Sequence, residues 1–216
     1  MKISISGEPN ASKGGRQGFL AMLAANLSDK HSCVIVGEKD KSDIHLNSIS
    51  GKIKKGSINV LRIDGIYYDK ERLSKNKSIV KSAKEHDHVV FQSEFSKINF
   101  EKLTNNKVKN SVIFNGTERR STASISDNKM IACSAKWRVN KRLEGLVEAV
   151  AIARKNTKEN IKLKVIGDPD CSLPEFCINT GHIDNKMVQK ELSGCQAFAH
   201  ICHIESCPNS VVEALS

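Results

Sequence analysis

The sequence predicts an α/β protein built on parallel sheets with helices on both faces. Three observations carry that reading. Short apolar runs rich in Val and Ile alternate with segments of helical period along the whole chain, the pattern of strands buried on both sides. A polar tract at residues 117–128, with Glu118, Arg119, Arg120 and Asp127 and almost no apolar side chain, separates two such series. The 216 residues, 39% of them hydrophobic, are enough for one large core or two small ones.

In chain order, strand candidates fall at residues 2–6, 33–37, 59–63, 88–92 and 112–114 before the polar tract, and at 129–134, 162–167 and 197–202 after it. Phe19, Leu23 and Leu27 recur at four-residue intervals, and Leu143, Leu146, Val147, Val150 and Ala151 form a similar stripe, so each helix has one apolar face to lay on a sheet. A further helix is expected to open at Pro208, whose fixed φ suits a first turn. The expected domains are residues 1–125 and residues 126–216. The second series stops at Ser216 while a helix is still being written and before any glycine or asparagine C-cap, so the second domain is expected to be truncated.

Several classes of protein are set aside. The apolar runs fall short of the ~18 residues a membrane span needs, and the N-terminus lacks the apolar core of a signal peptide, so a cytoplasmic protein is expected. Seven cysteines cannot all pair and nowhere form Cys-x-x-Cys, which suits reduced thiols. Cys195, His200, Cys202, His203 and Cys207 lie close together, but Ala197, Ala199, Ile201 and Ile204 among them read as a buried strand, and no metal site is expected. The formal net charge is +10, yet the lysines are scattered, and two tyrosines and one tryptophan offer little to stack bases. No specific nucleic-acid partner is expected; the positive field suits a phosphate-bearing ligand or peripheral contact with an anionic membrane surface.

Three segments carry candidate chemistry. Between the first strand and the first helix stands Gly7-Glu8-Pro9-Asn10-Ala11-Ser12-Lys13-Gly14-Gly15-Arg16-Gln17-Gly18, where adjacent glycines permit close backbone approach and the helix turns its positive end to a diphosphate. It has neither a Gly-Lys-Ser/Thr ending nor the dinucleotide spacing, and a plain glycine turn fits it as well. The second series opens with Ile131-Ala132-Cys133-Ser134-Ala135-Lys136-Trp137-Arg138-Val139-Asn140-Lys141-Arg142-Leu143-Glu144, four cations within seven residues ahead of a helix for which Asn140 is the expected N-cap. Cations crowded at the positive end of a helix repel one another unless an anion lies among them, although a solvated basic loop would be spelled the same way. In the third segment, Glu205-Ser206-Cys207-Pro208-Asn209-Ser210-Val211-Val212-Glu213-Ala214-Leu215-Ser216, two glutamates stand eight positions apart, and Asn209 and Glu213 share a helical face opposite Val211 and Leu215. A carboxylate accepts two hydrogen bonds from vicinal hydroxyls, which suits Glu205 to a sugar and Glu213 to a ribose; acids favoured at a helix start are the plainer account.

In chain order, the glycine pair Gly14-Gly15, Arg62-Ile63-Asp64-Gly65-Ile66-Tyr67, Val89-Val90-Phe91-Gln92-Ser93-Glu94-Phe95-Ser96-Lys97, Asn115-Gly116, Trp137-Arg138-Val139-Asn140-Lys141-Arg142-Leu143 and the closing segment from Glu205 resemble family 4 glycosyltransferases of the GT-B fold. The last is similar to that family's Glu-x7-Glu motif, and the resemblance spans nearly the whole chain. It implies two Rossmann-like domains facing across a cleft. It also implies transfer of a sugar from a nucleoside diphosphate sugar to a glycan, lipid or small-molecule hydroxyl, with retention of configuration and with no metal or other cofactor. Carried over by position, Arg138 and Lys141 clamp the donor diphosphate, Glu205 binds the sugar hydroxyls and Glu213 holds the ribose. The amides around Ser206, Cys207, Pro208, Asn209 and Ser210 support sugar or phosphate, and Gly14 and Gly15 let the first domain close over the diphosphate. His182, in Thr180-Gly181-His182-Ile183, would meet the base through its backbone. Arg62 and Asp64 fall on the acceptor side, where a local ion pair would have the same spelling.

The chain departs from that family in three ways: it ends just after Glu213, its first domain is short, and Ala135-Lys136 replaces the usual arginine or glycine before the clamp loop. The same residues leave open a catalytically silent nucleotide-sugar-binding or assembly module.

Overall fold

The computed structural model describes residues 1–6, 15–28, 31–35, 41–117 and 129–215. By internal packing the chain divides into two units, Met1–Asn115 and Gly116–Ser216. Each holds one sheet in which neighbouring strands run parallel.

In the first unit, β1 (Lys2–Ile5), β2 (Ser32–Ile35), β3 (Ile44–Ser48), β4 (Ile58–Ile63), β5 (His88–Phe91) and β6 (Asn110–Val112) lie in the order β2-β1-β3-β4-β5-β6, connected in part by α1 (Gly15–Ser28), α2 (Asn76–Glu85) and α3 (Glu94–Thr104). Leu61 and Ile63 of β4 and Val89 and Phe91 of β5 pack with Ile79 and Ala83, one turn apart on α2, and with Phe100 of α3. Ile3 and Ile5 of β1 pack with Leu20 and Ala24 of α1. The start of α3 is set by Ser93, whose hydroxyl accepts from the Ser96 amide at 3.1 Å, and its end by Asn105 in the left-handed region (φ 50°).

Strand β3 has no counterpart among the strands expected from sequence. Only Ile44 and Leu46 of its five residues are aliphatic, and two of its polar members, Asn47 and His45, are paired internally. Asn47, 1% exposed, donates to Lys52 O at 3.0 Å and to His86 Nε2 at 2.8 Å, while His45 Nδ1 meets the Ser4 hydroxyl at 2.7 Å. Buried polar groups paired in this way cost little, so a central strand can be built without an apolar run. Strand β6 also lies earlier than the expected 112–114, with Ile113 and Phe114 exposed beyond it.

In the second unit, β7 (Met130–Ser134), β8 (Lys162–Ile166), β9 (Cys177–Gly181) and β10 (Ala197–Phe198) lie in the order β10-β7-β8-β9, with α4 (Leu143–Thr157), α5 (Asn185–Ser193) and α6 (Asn209–Ala214) between or after them. Cys133, Leu143, Leu146, Val150, Leu163 and Val165 form the core cluster. Edge strand β9 was also not expected, because an edge has no two-sided burial to spell in sequence: Ile178 and Asn179 are exposed. The strand expected at 197–202 is corrected to two residues. Ala197 and Phe198 pair with Ile131 and Ala132, the Ala199 amide donates once more to Ala132 O at 2.8 Å, and residues 200–204 leave the sheet as irregular backbone.

Candidate functional site

The chain runs from β7 to β8 to β9 in one direction and returns on the other side of β7 as β10. Such a reversal opens a crevice outside the carboxyl ends of the two diverging strands, the usual ligand position in open parallel sheets. The two segments that meet there are the basic loop after β7 and the loop after β10.

The basic loop is tied to the end of β8. The Ala135 amide and Trp137 Nε1 both donate to Ile166 O, at 3.3 and 3.1 Å. Gly167 (φ 111°) makes this approach possible, since a Cβ there would lie 2.3 Å from Ala135 O. Residues Val139–Lys141 then form a 3-10 turn closed by Lys141 N donating to Arg138 O at 2.8 Å, and α4 begins after Arg142, which sits in the left-handed region (φ 56°). Asn140 is therefore not the helix N-cap. Its carbonyl accepts from the His203 amide at 3.0 Å and its Nδ2 lies 3.6 Å from Cys202 Sγ, so it stitches the basic loop to the loop after β10.

That stitch brings together groups 64 positions apart: Lys141 Nζ pairs with Glu205 Oε2, and the two side chains remain 21% and 31% exposed. His200 Nε2 lies 3.9 Å from the same carboxylate oxygen. Burial, and secondarily the Lys141 charge, hold the His200 pKa below its ordinary value despite the opposing pull of Glu205. Burial likewise pushes the Cys202 thiol up. Arg138 is extended (φ −155°, ψ 162°), and Arg138, Lys136 and Arg142 are all exposed.

Beyond Glu205, the residues Ser206, Cys207, Pro208, Asn209 and Ser210 are half-buried and lead into α6. Pro208 is the N-cap and not a first-turn residue; its carbonyl accepts from Val211 and Val212 at 3.1 and 3.2 Å. Glu213 is half-buried within α6, one turn after Asn209, and both have interactions of their own. His182 follows Gly181 (φ 65°) at the end of β9; its amide donates to Asp168 Oδ1 at 2.9 Å, and its side chain is exposed.

In the first unit, Arg62 is 5% exposed. It pairs with Asp64, donates to Asn115 Oδ1 at 2.7 Å and Gln92 Oε1 at 3.3 Å, and stacks its guanidinium 3.7 Å above the Phe19 ring. Gly15 opens α1, while Gly14 lies outside the described residues. Sequence reasoning missed Gly167 and Asn140 as a bridge, and set His200 aside as part of a buried strand. The one signal for Gly167 was a glycine directly after a Val-Ile strand end; the other two roles exist only once the two loops meet.

Two all-parallel sheets interleaved with helices, one in each unit, make an α/β fold of the GT-B glycosyltransferase type. The similar solved structures are specific ones. The lipopolysaccharide outer core galactosyltransferase WaaB, in its apo form, matches with a TM-score of 0.68 and 14% identity over 100% of this chain and 78% of its own. A point mutant of S. aureus TarM in complex with fondaparinux, alpha-GlcNAc-glycerol and UDP matches with a TM-score of 0.65 and 15% identity over 79% of this chain, and TarM itself with 0.64 and 14% over 80%. The matched region spans 39% of the TarM chain. At such identities the likeness establishes the fold. No family model and no curated protein sequence matches the chain. Among the described residues, no helix is long and apolar enough to cross a membrane.

Proposed function

We propose that the protein is a glycosyltransferase that moves a hexose-type sugar from a nucleoside diphosphate sugar to a hydroxyl acceptor on a glycan, lipid or small molecule, with retention of configuration, in the manner of family 4. The observation that carries this reading is the Lys141–Glu205 pair at the switch point of the second sheet, flanked by Arg138 and by the Glu-x7-Glu spacing to Glu213. In the ligand-free state the cation and carboxylate satisfy each other. A donor offers each a better partner: Lys141 and the bidentate guanidinium of Arg138 take the diphosphate, and Glu205 accepts hydrogen bonds from the sugar hydroxyls. The same two cations then stabilise the charge that grows on the leaving nucleotide phosphate, so the chemistry has no need of a metal.

On this reading Glu213 holds the ribose, the turn at His182 flanks the base, and the amides of Ser206, Cys207, Pro208, Asn209 and Ser210 support sugar or phosphate. Asp64, 23% exposed, faces the acceptor, with buried Arg62 holding it in place. Bound UDP in one similar structure and the galactosyltransferase name of another make UDP-hexoses the first donors to try.

Calorimetric titration with UDP and GDP, followed by incubation with a panel of nucleotide sugars, tests the proposal. Nucleotide binding with transfer or donor hydrolysis is expected. Binding with neither would make the protein a silent nucleotide-sugar module, and absence of nucleotide binding would defeat both readings.

A further inference from the structure

Two side chains beside Glu205 are left without a role in sugar transfer, His200 and Cys202. Leaving the sheet after β10, the chain turns both toward the Glu205 carboxylate instead of burying them in a strand. His200 Nε2 is buried with no hydrogen-bond partner. An orphaned buried nitrogen carries a desolvation penalty that a ligand on that atom removes. Cys202 Sγ lies beside it, donating to Ile204 O at 3.2 Å, with Asn140 Nδ2 at 3.6 Å. His200, Cys202 and Glu205 each place one ligand atom within 4.8 Å of the other two, and the imidazole nitrogen is 3.9 Å from the Glu205 oxygen. With bonds of ~2.0–2.3 Å, a tetrahedral zinc spaces its donors by roughly 3.5 Å, so a contraction of about 1 Å in half-exposed loop completes the set.

The geometry points to a Zn²⁺ site made by His200 Nε2, Cys202 Sγ and a Glu205 carboxylate oxygen, which holds the donor site closed when it is filled. One nitrogen, one sulfur and one carboxylate suit zinc and not magnesium or calcium, which take all-oxygen shells. On binding, the Cys202 thiol loses its proton to solvent, Glu205 exchanges the Lys141 ammonium for the metal, and water fills the fourth position. Lys141, 21% exposed, swings into solvent. The closing effect rests on Glu205 being the sugar-binding carboxylate, because an oxygen bound to zinc no longer accepts from a sugar hydroxyl; the zinc site itself does not depend on that reading.

The test is Co²⁺ titrated into the reduced, metal-stripped 216-residue chain. One equivalent should produce a thiolate-to-cobalt charge-transfer band with tetrahedral d–d absorption, bleached by one equivalent of Zn²⁺ and untouched by Mg²⁺. Cys202→Ser should abolish the charge-transfer band, and His200→Ala should weaken cobalt binding by at least ~10-fold. If either variant is unfolded by circular dichroism, the unaltered chain still decides: Zn²⁺ should slow iodoacetamide alkylation of Cys202 ~10-fold relative to Cys171, read by peptide mass spectrometry, since a metal-bound thiolate is a poor nucleophile. No cobalt band, a band that survives Cys202→Ser, or equal alkylation of the two cysteines overturns the site. Zn²⁺ should also weaken UDP-hexose binding ~10-fold in the unaltered chain and leave it unchanged in Cys202→Ser; indifference of the unaltered chain to zinc overturns the closing effect. A cobalt spectrum without UDP binding would sink the transferase reading and leave the metal site standing, whereas UDP binding without a cobalt spectrum would do the reverse.

Discussion

Two ion pairs stand at carboxyl ends of strands, one in each unit, and they are built for opposite ends. In the first, Arg62 is locked by Asp64, Asn115, Gln92 and the Phe19 ring, with its side chain 6% exposed. In the second, Lys141 and Glu205 meet at a switch point with 21% and 31% of their side chains exposed. Taking a charge out of water is offset only when several groups replace the lost hydration, and once they do the charge is committed to architecture. A half-exposed pair keeps most of its hydration, gains little from the contact, and can trade its partner for a ligand at small cost.

The contrast breaks most readily at Arg62. Arg62→Ala, which takes the buried guanidinium out of this network, should lower the unfolding free energy by ~3–5 kcal/mol in a urea titration; a loss below ~1 kcal/mol would mean that this pair is as exchangeable as the other. In the second unit the expected effect is on turnover. Glu205→Ala, Lys141→Ala and Arg138→Ala should each reduce transfer by a factor of ~100 or more, about 2.7 kcal/mol of transition-state stabilisation. The first two should shift the urea midpoint by no more than ~1 kcal/mol of stability. Near-normal transfer by all three variants would end the functional proposal.

A smaller effect should come from the scaffold beneath the basic loop. Gly167→Ala forces a left-handed residue and a methyl against Ala135 O, and should destabilise the second unit by ~2 kcal/mol in the same titration. Unchanged stability would show that the loop's approach to β8 does not depend on that glycine.

The smallest effect is a pH response in the first unit. Burial, then the Lys54 charge, then His86 hold the His45 pKa below its ordinary 6.5. The unfolded chain therefore takes up a proton that the native state resists, so this contribution to stability is complete above the unfolded value of 6.5 and fades as pH falls below it. Urea midpoints measured from neutral to mildly acidic pH should fall less steeply for His45→Gln than for the unaltered chain, and equal slopes would assign the response elsewhere.

How much was legible depended on which signal each element carried. Strands β4 and β5 spell themselves as runs of Val, Ile, Leu and Phe, whereas β3 hides its burial behind Asn47 and His45, whose polar atoms are paired with His86 and Ser4. The segment after β10 misled in the other direction. Its alternation of Ala and Ile with His and Cys reads as a strand, yet only Ala197 and Phe198 pair, and the loop that follows is what delivers His200 and Cys202 to Glu205.

The sequence by itself determined the α/β class, the two series of elements, and the residue types of the candidate site, because periodicity and short motifs are local properties of the chain. Only the tertiary structure decided which charge would be buried and which exposed. Arg62 and Lys141 look alike as cations in their motifs, and their fates differ because one meets Phe19, Gln92 and Asn115 from distant segments as well as nearby Asp64, while the other meets a carboxylate across a crevice. Desolvation is set by everything that packs around a group, and that information is not carried by its neighbours in sequence.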